Sequence, residues 1–191
     1  YFYSESSELL DEKCFITDDS IMTAAVMKIL IEYDKDKSQN LNMLAVKYMQ
    51  QFGRKYDQDV HGYGHRFRQW IFNNNPEPYG SWGNGAAMRI SPVGWYARTI
   101  EEVKSLSKAI TEVTHNHPEA IKGAEATAMC IFLARNGKTR EEIKDYVQTH
   151  YYDMTKYDLN YLRENYIFNE SCQKTVPEAI HCFLISDNFE D

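Results

Sequence analysis

Two neighbouring carboxylates beside a hydroxyl open the first helical segment of the sequence. Thr17, Asp18, Asp19 and Ser20 stand just before an apolar helical pattern that starts at Ile21. Carboxylate and hydroxyl oxygens are the hard ligands that Mg²⁺ prefers, so this segment is a candidate metal site. Helix capping is the alternative, because Asp, Ser and Thr are preferred N-caps and acidic side chains complement the helix dipole. A complete metal site would need further oxygens from elsewhere in the chain.

A second candidate is the glycine-rich stretch 80–95, which reads GSWGNGAAMRISPVGW. Its first glycines can adopt positive φ, and Asn84 tolerates that region too. These glycines are Gly80, Gly83 and Gly85. If 86–90 begins a helix, successive backbone N–H groups lie at a helix N-terminus, which favours an anion such as a pyrophosphate. The alternative is a tight turn between packed helices, with Trp82 and Trp95 in the core.

The segment 61–67, HGYGHRF, is a third candidate. Gly62 and Gly64 flank Tyr63, and glycine lets a backbone approach a ligand closely. A plain turn is the alternative interpretation of the same residues.

The fourth candidate is the segment 114–126, THNHPEAIKGAEA. His115 and His117 are possible metal ligands or ligand contacts, but their spacing is not typical of zinc sites, and capping and core packing each explain them better. Gly123 interrupts a good helical pattern at a cost of about 1 kcal/mol relative to alanine. Such a glycine indicates close approach to a neighbour or a ligand.

In the segments that must position these residues, apolar side chains recur mostly at helical spacing. No stretch alternates apolar and polar residues as a β-strand does. Pro118 suits a first helical turn, and Thr139 with Glu142 forms a capping-box pattern. We therefore predict an all-α fold, a compact multi-helix single domain. The predicted helices cover 20–33, 41–52 (ended by the glycine at position 53), 65–72, 99–114, 118–135, 139–151, 158–166 and 177–185.

Composition narrows the classes of function. The chain has 191 residues and a formal net charge of -7, which makes nucleic acid an unlikely main partner because phosphate contacts need clustered Lys and Arg. Its four cysteines are widely spaced and form no CxxC pair, which favours free thiols in a reducing compartment, so we expect a cytoplasmic protein. No apolar run approaches the roughly 18 residues of a membrane span, and we expect no membrane partner.

Taken together, the segments resemble the ADP-ribosylglycohydrolase family, of the dinitrogenase-reductase-activating type. The resemblance rests on their order along the chain: TDDS, GYG, SWGNGAAMR, TH, KGA and SCQKTVPEAI. It implies an all-α domain that binds two Mg²⁺ ions and hydrolyses the N- or O-glycosidic bond between ADP-ribose and an acceptor. It also implies that water attacks the anomeric carbon and that carboxylates take up its proton.

The resemblance assigns roles to individual residues. Thr17, Asp18 and Asp19 would bind metal, and the two carboxylates would be catalytic. The predicted ligand contacts are Gly62, Tyr63 and Gly64 on the phosphate side, Ser81, Trp82, Gly83, Asn84 and Gly85 around the pyrophosphate, Met88, His115 at the adenosine half, and Cys172 near the adenine.

Two metal-ligand segments of the family are missing from this sequence. Family members open with a Gly-Asp segment and close with an Asp-x-Asp-Thr segment, and neither occurs here. We expect the polypeptide to extend beyond Asp191. A catalytically degenerate module that binds ADP-ribose or a protein partner is the alternative function.

Overall fold

The computed structural model describes residues 15–57 and 62–188. This part of the chain forms nine α-helices and no β-strand, with one isolated antiparallel bridge between Gly83 and Ser171. The all-α fold predicted from the sequence is confirmed. The helices are α1 (Asp18–Lys35), α2 (Leu41–Lys55), α3 (His65–Phe72), α4 (Ser91–Tyr96), α5 (Ile100–Thr111), α6 (Pro118–Arg135), α7 (Arg140–His150), α8 (Leu159–Asn165) and α9 (Val176–Ile185). Three 3₁₀ turns lie between them, at Asn84–Ala86, Met154–Lys156 and Cys172–Lys174.

Helix α6 lies at the centre of the fold. It packs against α4, α5, α7 and α9, while α1 packs against α2 and α4. Small residues on α6 and on its neighbour α4 let the two helices approach closely. At the contact with α4, a Cβ added to Gly94 would lie 2.6 Å from the carbonyl oxygen of Ala128. The fully buried alanines of α6 are Ala120, Ala124, Ala126 and Ala128.

The predicted helix starts near the site are confirmed. Thr139 accepts a hydrogen bond from the Glu142 N–H, and the Glu142 carboxylate accepts one from the Thr139 N–H, so α7 begins with a capping box. Pro118 is the first residue of α6. The side chain of His117 caps this helix, because its Nδ1 accepts a hydrogen bond of 3.2 Å from the Glu119 N–H.

The predicted end of α2 is wrong, and so is the alternative that places the two tryptophans of the glycine-rich stretch in the core. Gly53 does not end α2, which continues to Lys55. It is needed instead for helix packing, because an added Cβ would lie 2.6 Å from Cδ1 of Ile71. Trp82 and Trp95 do not belong to the core, since 53% and 64% of their surfaces are exposed.

The cysteines of the described residues are free, as predicted: Cys130 and Cys172 are buried and Cys182 is exposed. The fourth, Cys14, lies outside the described residues. Within residues 15–57 and 62–188, none of the helices combines the length and the apolar character needed to cross a membrane.

Candidate functional site

The acidic pair lies in the first turn of α1. The helix begins at Asp18, two residues before the predicted start, so Thr17 is the N-cap and neither carboxylate is. Thr17 makes no side-chain capping bond. Its hydroxyl instead donates a hydrogen bond of 3.0 Å to Oδ2 of Asp19. The capping alternative therefore does not account for the three side chains, although both carboxylates complement the helix dipole.

The electrostatics of this pair favour a cation. Asp18 is half-buried and Asp19 is exposed. Burial, and then the charge of Asp19, raise the pKa of Asp18 above its ordinary value. Neither carboxylate forms an ion pair with any residue of the described ranges. Carboxylate and hydroxyl oxygens fit Mg²⁺ by chemical type, but the described residues contain no cluster of three or more His, Cys, Asp or Glu. By themselves, these three side chains could supply only part of the ligands that a metal ion needs.

The glycine-flanked tyrosine lies against this pair. Gly62 has φ +128°, and a Cβ added there would lie 2.8 Å from Cγ of Asp18. Tyr63 has a buried hydroxyl without a hydrogen-bond partner among the described residues. Burial and the charge of Asp18 raise the pKa of Tyr63 to about 12, so the phenol stays protonated. Gly64 has open space around it and precedes α3. His61 lies outside the described residues.

Residues 80–85, called the glycine loop below, are fastened to a distant segment of the chain. The Asn84 N–H donates to the carbonyl oxygen of Glu170 at 2.7 Å, and the Cys172 N–H donates to that of Trp82 at 2.9 Å. These bonds accompany the bridge between Gly83 and Ser171. The segment 170–172 therefore holds the backbone of the glycine loop in position.

The conformation of the glycine loop differs from the prediction. Of its three glycines only Gly80 has positive φ, at 65°. Asn84 is not left-handed but begins a 3₁₀ turn. Residues 86–90 form no α-helix, because α4 begins only at Ser91. The predicted helix N-terminus is therefore absent at this point of the loop.

The backbone N–H groups of the loop are also less available than predicted. The Gly80 N–H donates to Oδ1 of Asn116 at 2.7 Å, and the Gly83 N–H donates to Oγ of Ser81 at 3.1 Å. With the Asn84 N–H also paired, three donors of the loop are already used inside the protein. Among the described residues, the N–H groups of Ser81, Trp82 and Gly85 make no such bond, so the loop offers fewer donors than predicted, in an interrupted series.

Space for a histidine accounts for Gly85. A Cβ added to Gly85 would lie 3.3 Å from Nε2 of His115, whereas one added to Gly83 would lie 3.7 Å from it, an ordinary van der Waals distance. His115 is only 6% exposed, and its Nδ1 lies 2.7 Å from Oγ1 of Thr114. Burial, and then the charge of Arg89, lower the pKa of His115 well below its ordinary value. The imidazole is therefore neutral at pH 7, with Nε2 facing the glycine loop.

Cys172 lies beneath the loop. Its side chain is completely buried, and the thiol donates a hydrogen bond of 3.2 Å to the carbonyl oxygen of Gly83. Burial raises the pKa of this thiol to about 12, so it remains an S–H donor. Gly123 makes room for it, because an added Cβ would lie 2.8 Å from Cβ of Cys172. The geometry favours a supporting role over the direct ligand contact that the resemblance implies.

Two contacts link α1 and the glycine-flanked tyrosine to residues 88 and 89, just after the glycine loop. The Thr23 hydroxyl of α1 donates to the carbonyl oxygen of Asp19 at 2.7 Å and lies 3.4 Å from that of Met88, whose N–H donates to the carbonyl oxygen of Asn84 in the loop. The Arg89 guanidinium lies 5.6 Å from the ring centre of Phe67, whose ring centre is 5.6 Å from that of Tyr63. The predicted site segments thus form one connected region.

Sequence reasoning assigned no role to Arg89, which is fully buried at the centre of this region. Its guanidinium donates a hydrogen bond of 2.7 Å to Oγ1 of Thr114. The available signal was a single charged residue inside an otherwise apolar stretch, 86–90. A lone arginine there indicates a buried cation with a specific partner, because charged side chains are rarely buried without one.

Known proteins resemble the chain over most of its length. A profile of the ADP-ribosylglycohydrolase family matches residues 5–191. ADP-ribosylhydrolase ARH3 of Gallus gallus is 26% identical over 134 residues, which cover 66% of this chain and 36% of that protein. The proteins of the same name from Mus musculus and Homo sapiens are 25% identical over 145 residues and 26% identical over 148, each covering 69% of this chain and 38% of the relative.

The chain spans less than two fifths of the length of these curated relatives. The family profile nevertheless covers nearly all of the sequence, including every segment from which the site is built. The all-α architecture agrees with this match. The chain belongs to the ADP-ribosylglycohydrolase family.

Proposed function

We propose that this chain carries part of the active site of a Mg²⁺-dependent hydrolase that removes ADP-ribose from an acceptor. One observation carries the proposal. An acidic pair without a cationic partner among the described residues lies in the same connected region as a glycine loop that packs against a neutral histidine. The family membership and the printed function of the relatives, ADP-ribosylhydrolase, support the same activity.

We assign one group of residues to the metal and another to the ligand. Thr17, Asp18 and Asp19 would hold Mg²⁺ together with oxygens from outside the described residues. When bound, the metal would supply positive charge that makes a water molecule more acidic and polarises the ribose oxygens. Gly62 keeps the space in front of the Asp18 carboxylate open, because any side chain there would displace it.

The reaction is a displacement at the anomeric carbon of the ribose. Water forms the new C–O bond, and the electron pair of the broken glycosidic bond leaves with the acceptor. A carboxylate of the acidic pair accepts the proton of the attacking water. The glycine loop and His115 bind the diphosphate and adenosine part, so that the anomeric carbon is held near the carboxylates.

The metal role is tested with Asp18→Asn and Asp19→Asn in the full-length polypeptide. Each variant loses a full negative charge facing a dication, so Mg²⁺-dependent thermal stabilisation should require more than tenfold higher Mg²⁺, a loss of about 1.4 kcal/mol or more. Glu101→Gln is the matched control, because Glu101 lies in the first turn of α5 without belonging to the site. If both Asp variants keep the parental Mg²⁺ response, the metal assignment is wrong.

The ligand role is tested with Gly85→Val and calorimetric titration of ADP-ribose. A branched side chain at this position would press on Nε2 of His115 and occupy the floor of the glycine loop. We expect affinity to fall more than tenfold while the far-ultraviolet circular dichroism spectrum is unchanged. Unchanged affinity in a folded variant would remove the loop from the binding site. Binding of ADP-ribose without any hydrolysis of ADP-ribosylated protein would favour the non-catalytic alternative.

A further inference from the structure

Arg89 is a buried cation without a counter-ion. Its side chain is 1% exposed, and burial lowers its pKa to about 10, so it remains charged at neutral pH. Within residues 15–57 and 62–188, no carboxylate lies within ion-pair distance of it. Its Nε has no hydrogen-bond partner there either. Such a charge is costly to bury, so a specific use for it is expected.

The nearest polar partner of this cation is a hydroxyl that also contacts His115. Nη2 of Arg89 donates to Oγ1 of Thr114 at 2.7 Å, and the same oxygen lies 2.7 Å from Nδ1 of His115. A hydroxyl carries one proton, and here two acceptors compete for it: Nδ1 of His115 and the carbonyl oxygen of Thr111 at 3.4 Å.

The carbonyl oxygen of Thr111 is the poorer acceptor. It already accepts the backbone N–H groups of Thr114 at 3.2 Å and His115 at 2.9 Å, which occupy its two lone pairs. The Thr114 proton therefore goes to Nδ1 of His115. A neutral imidazole that accepts at Nδ1 carries its own proton on Nε2.

We propose that Arg89 and Thr114 are positioning residues that fix His115 in its Nε2–H tautomer, with that proton directed at the glycine loop as a hydrogen-bond donor to an acceptor oxygen of the ligand. Nε2 has no hydrogen-bond partner among the described residues, and it faces Gly83 and Gly85. Donation by the Arg89 cation polarises the Thr114 hydroxyl and strengthens its bond to Nδ1. Only the identity of the ligand rests on the function proposed above.

The tautomer itself is measured by nitrogen–proton correlation spectra of the full-length protein labelled with ¹⁵N-histidine. The chain has six histidines, so a His115→Gln sample identifies the signals of His115 by their loss. We expect an unprotonated Nδ1 and a protonated Nε2 in the parent protein. A proton on Nδ1 in the parent would overturn the proposal without the need for any further variant.

Two variants of Thr114 separate positioning from general packing. Thr114→Val keeps the shape but removes the hydroxyl, so we expect the His115 proton to move at least partly to Nδ1 and ADP-ribose affinity to fall about tenfold, the value of one hydrogen bond. Thr114→Ser keeps the hydroxyl and should retain both the tautomer and the affinity. If Thr114→Val leaves tautomer and affinity as in the parent, the proposal is overturned.

The same experiment distinguishes this inference from the proposed function. If the parent shows the Nε2–H tautomer and Thr114→Val shifts it, but the parent binds no ADP-ribose in calorimetry, the glycohydrolase proposal fails while the positioning of His115 by the Thr114 hydroxyl holds. If the parent binds ADP-ribose but His115 has its proton on Nδ1, the positioning fails alone.

Discussion

Replacing Gly62 by alanine is the sharpest test of the contact between the glycine-flanked tyrosine and the acidic pair. Gly62 has φ +128°, and a Cβ added there would lie 2.8 Å from Cγ of Asp18. Gly64→Ala is the matched control, because Gly64 has φ -58° and no atom within 4 Å of an added Cβ. Each variant adds one methyl group, and the two positions are only two residues apart.

The expected loss has two separate parts. A non-glycine residue at φ +128° is strained by about 1–3 kcal/mol, which lowers the melting temperature by about 2–12 °C in a chain of this size. The collision with Asp18 costs less stability, because a carboxylate can rotate away. That rotation displaces the carboxylate that we propose binds Mg²⁺, so the Mg²⁺ concentration needed for half-maximal thermal stabilisation should rise more than tenfold. Gly64→Ala should change stability by no more than about 0.5 kcal/mol.

The assay is thermal unfolding of the full-length protein at several Mg²⁺ concentrations, with the parent and both variants in the same buffer. Stability without Mg²⁺ reports the backbone strain, and the Mg²⁺ dependence reports the position of Asp18. Equal Mg²⁺ responses in the Gly62→Ala and Gly64→Ala variants would refute the argument that Gly62 keeps the carboxylate in place. A Gly62→Ala variant as stable as the parent would show that the backbone at this position relaxes without cost.

Three further predictions concern the scaffold. Gly94→Ala should lower the free energy of unfolding in urea by about 1–3 kcal/mol, because the new methyl group meets the Ala128 carbonyl oxygen in the contact between α4 and α6; an unchanged midpoint would contradict that contact. Thr139→Ala should cost about 1 kcal/mol through loss of the capping box, whereas Thr139→Ser should not, as judged by the same denaturation. In peptide mapping after alkylation at pH 8, Cys182 should react before Cys130 and Cys172, because burial raises the pKa of the latter thiols to about 12; equal labelling of the three in the folded protein would contradict their burial.

Eight of the nine helices in the described residues were predictable because their signals are local, whereas α4 was not predicted. Periodicity, the Pro118 start and the Thr139 capping box depend on residues within a few positions of one another, and all of these were confirmed. Gly53 misled the prediction because a helix-ending glycine and a packing glycine look alike in sequence. The difference is Ile71 on another helix, which the local pattern does not contain.

The sequence indicated which candidate segments lie near one another but not how their backbone groups are used. The order of the segments indicated which residues belong together, while the use of each backbone group depends on contacts from afar. The Asn84 N–H is taken by Glu170, and the space at Gly85 is filled by His115. The position of Arg89 beside Thr114 likewise follows from helix packing. Whether the acidic pair binds Mg²⁺ remains a prediction.

The fastening of the glycine loop to residues 170–172 has a consequence for how the protein is made. The Cys172 thiol and the Gly83 carbonyl that it contacts are 89 positions apart, so their pairing has a high contact order. Contacts of this kind form late in folding, because closing the long intervening loop costs conformational entropy. During synthesis, α1 to α5 leave the ribosome while the partners of Asn84 and Trp82 are still untranslated. In the nascent chain the glycine loop therefore lacks its hydrogen bonds to residues 170–172, and these bonds form only when the chain has emerged past Cys172.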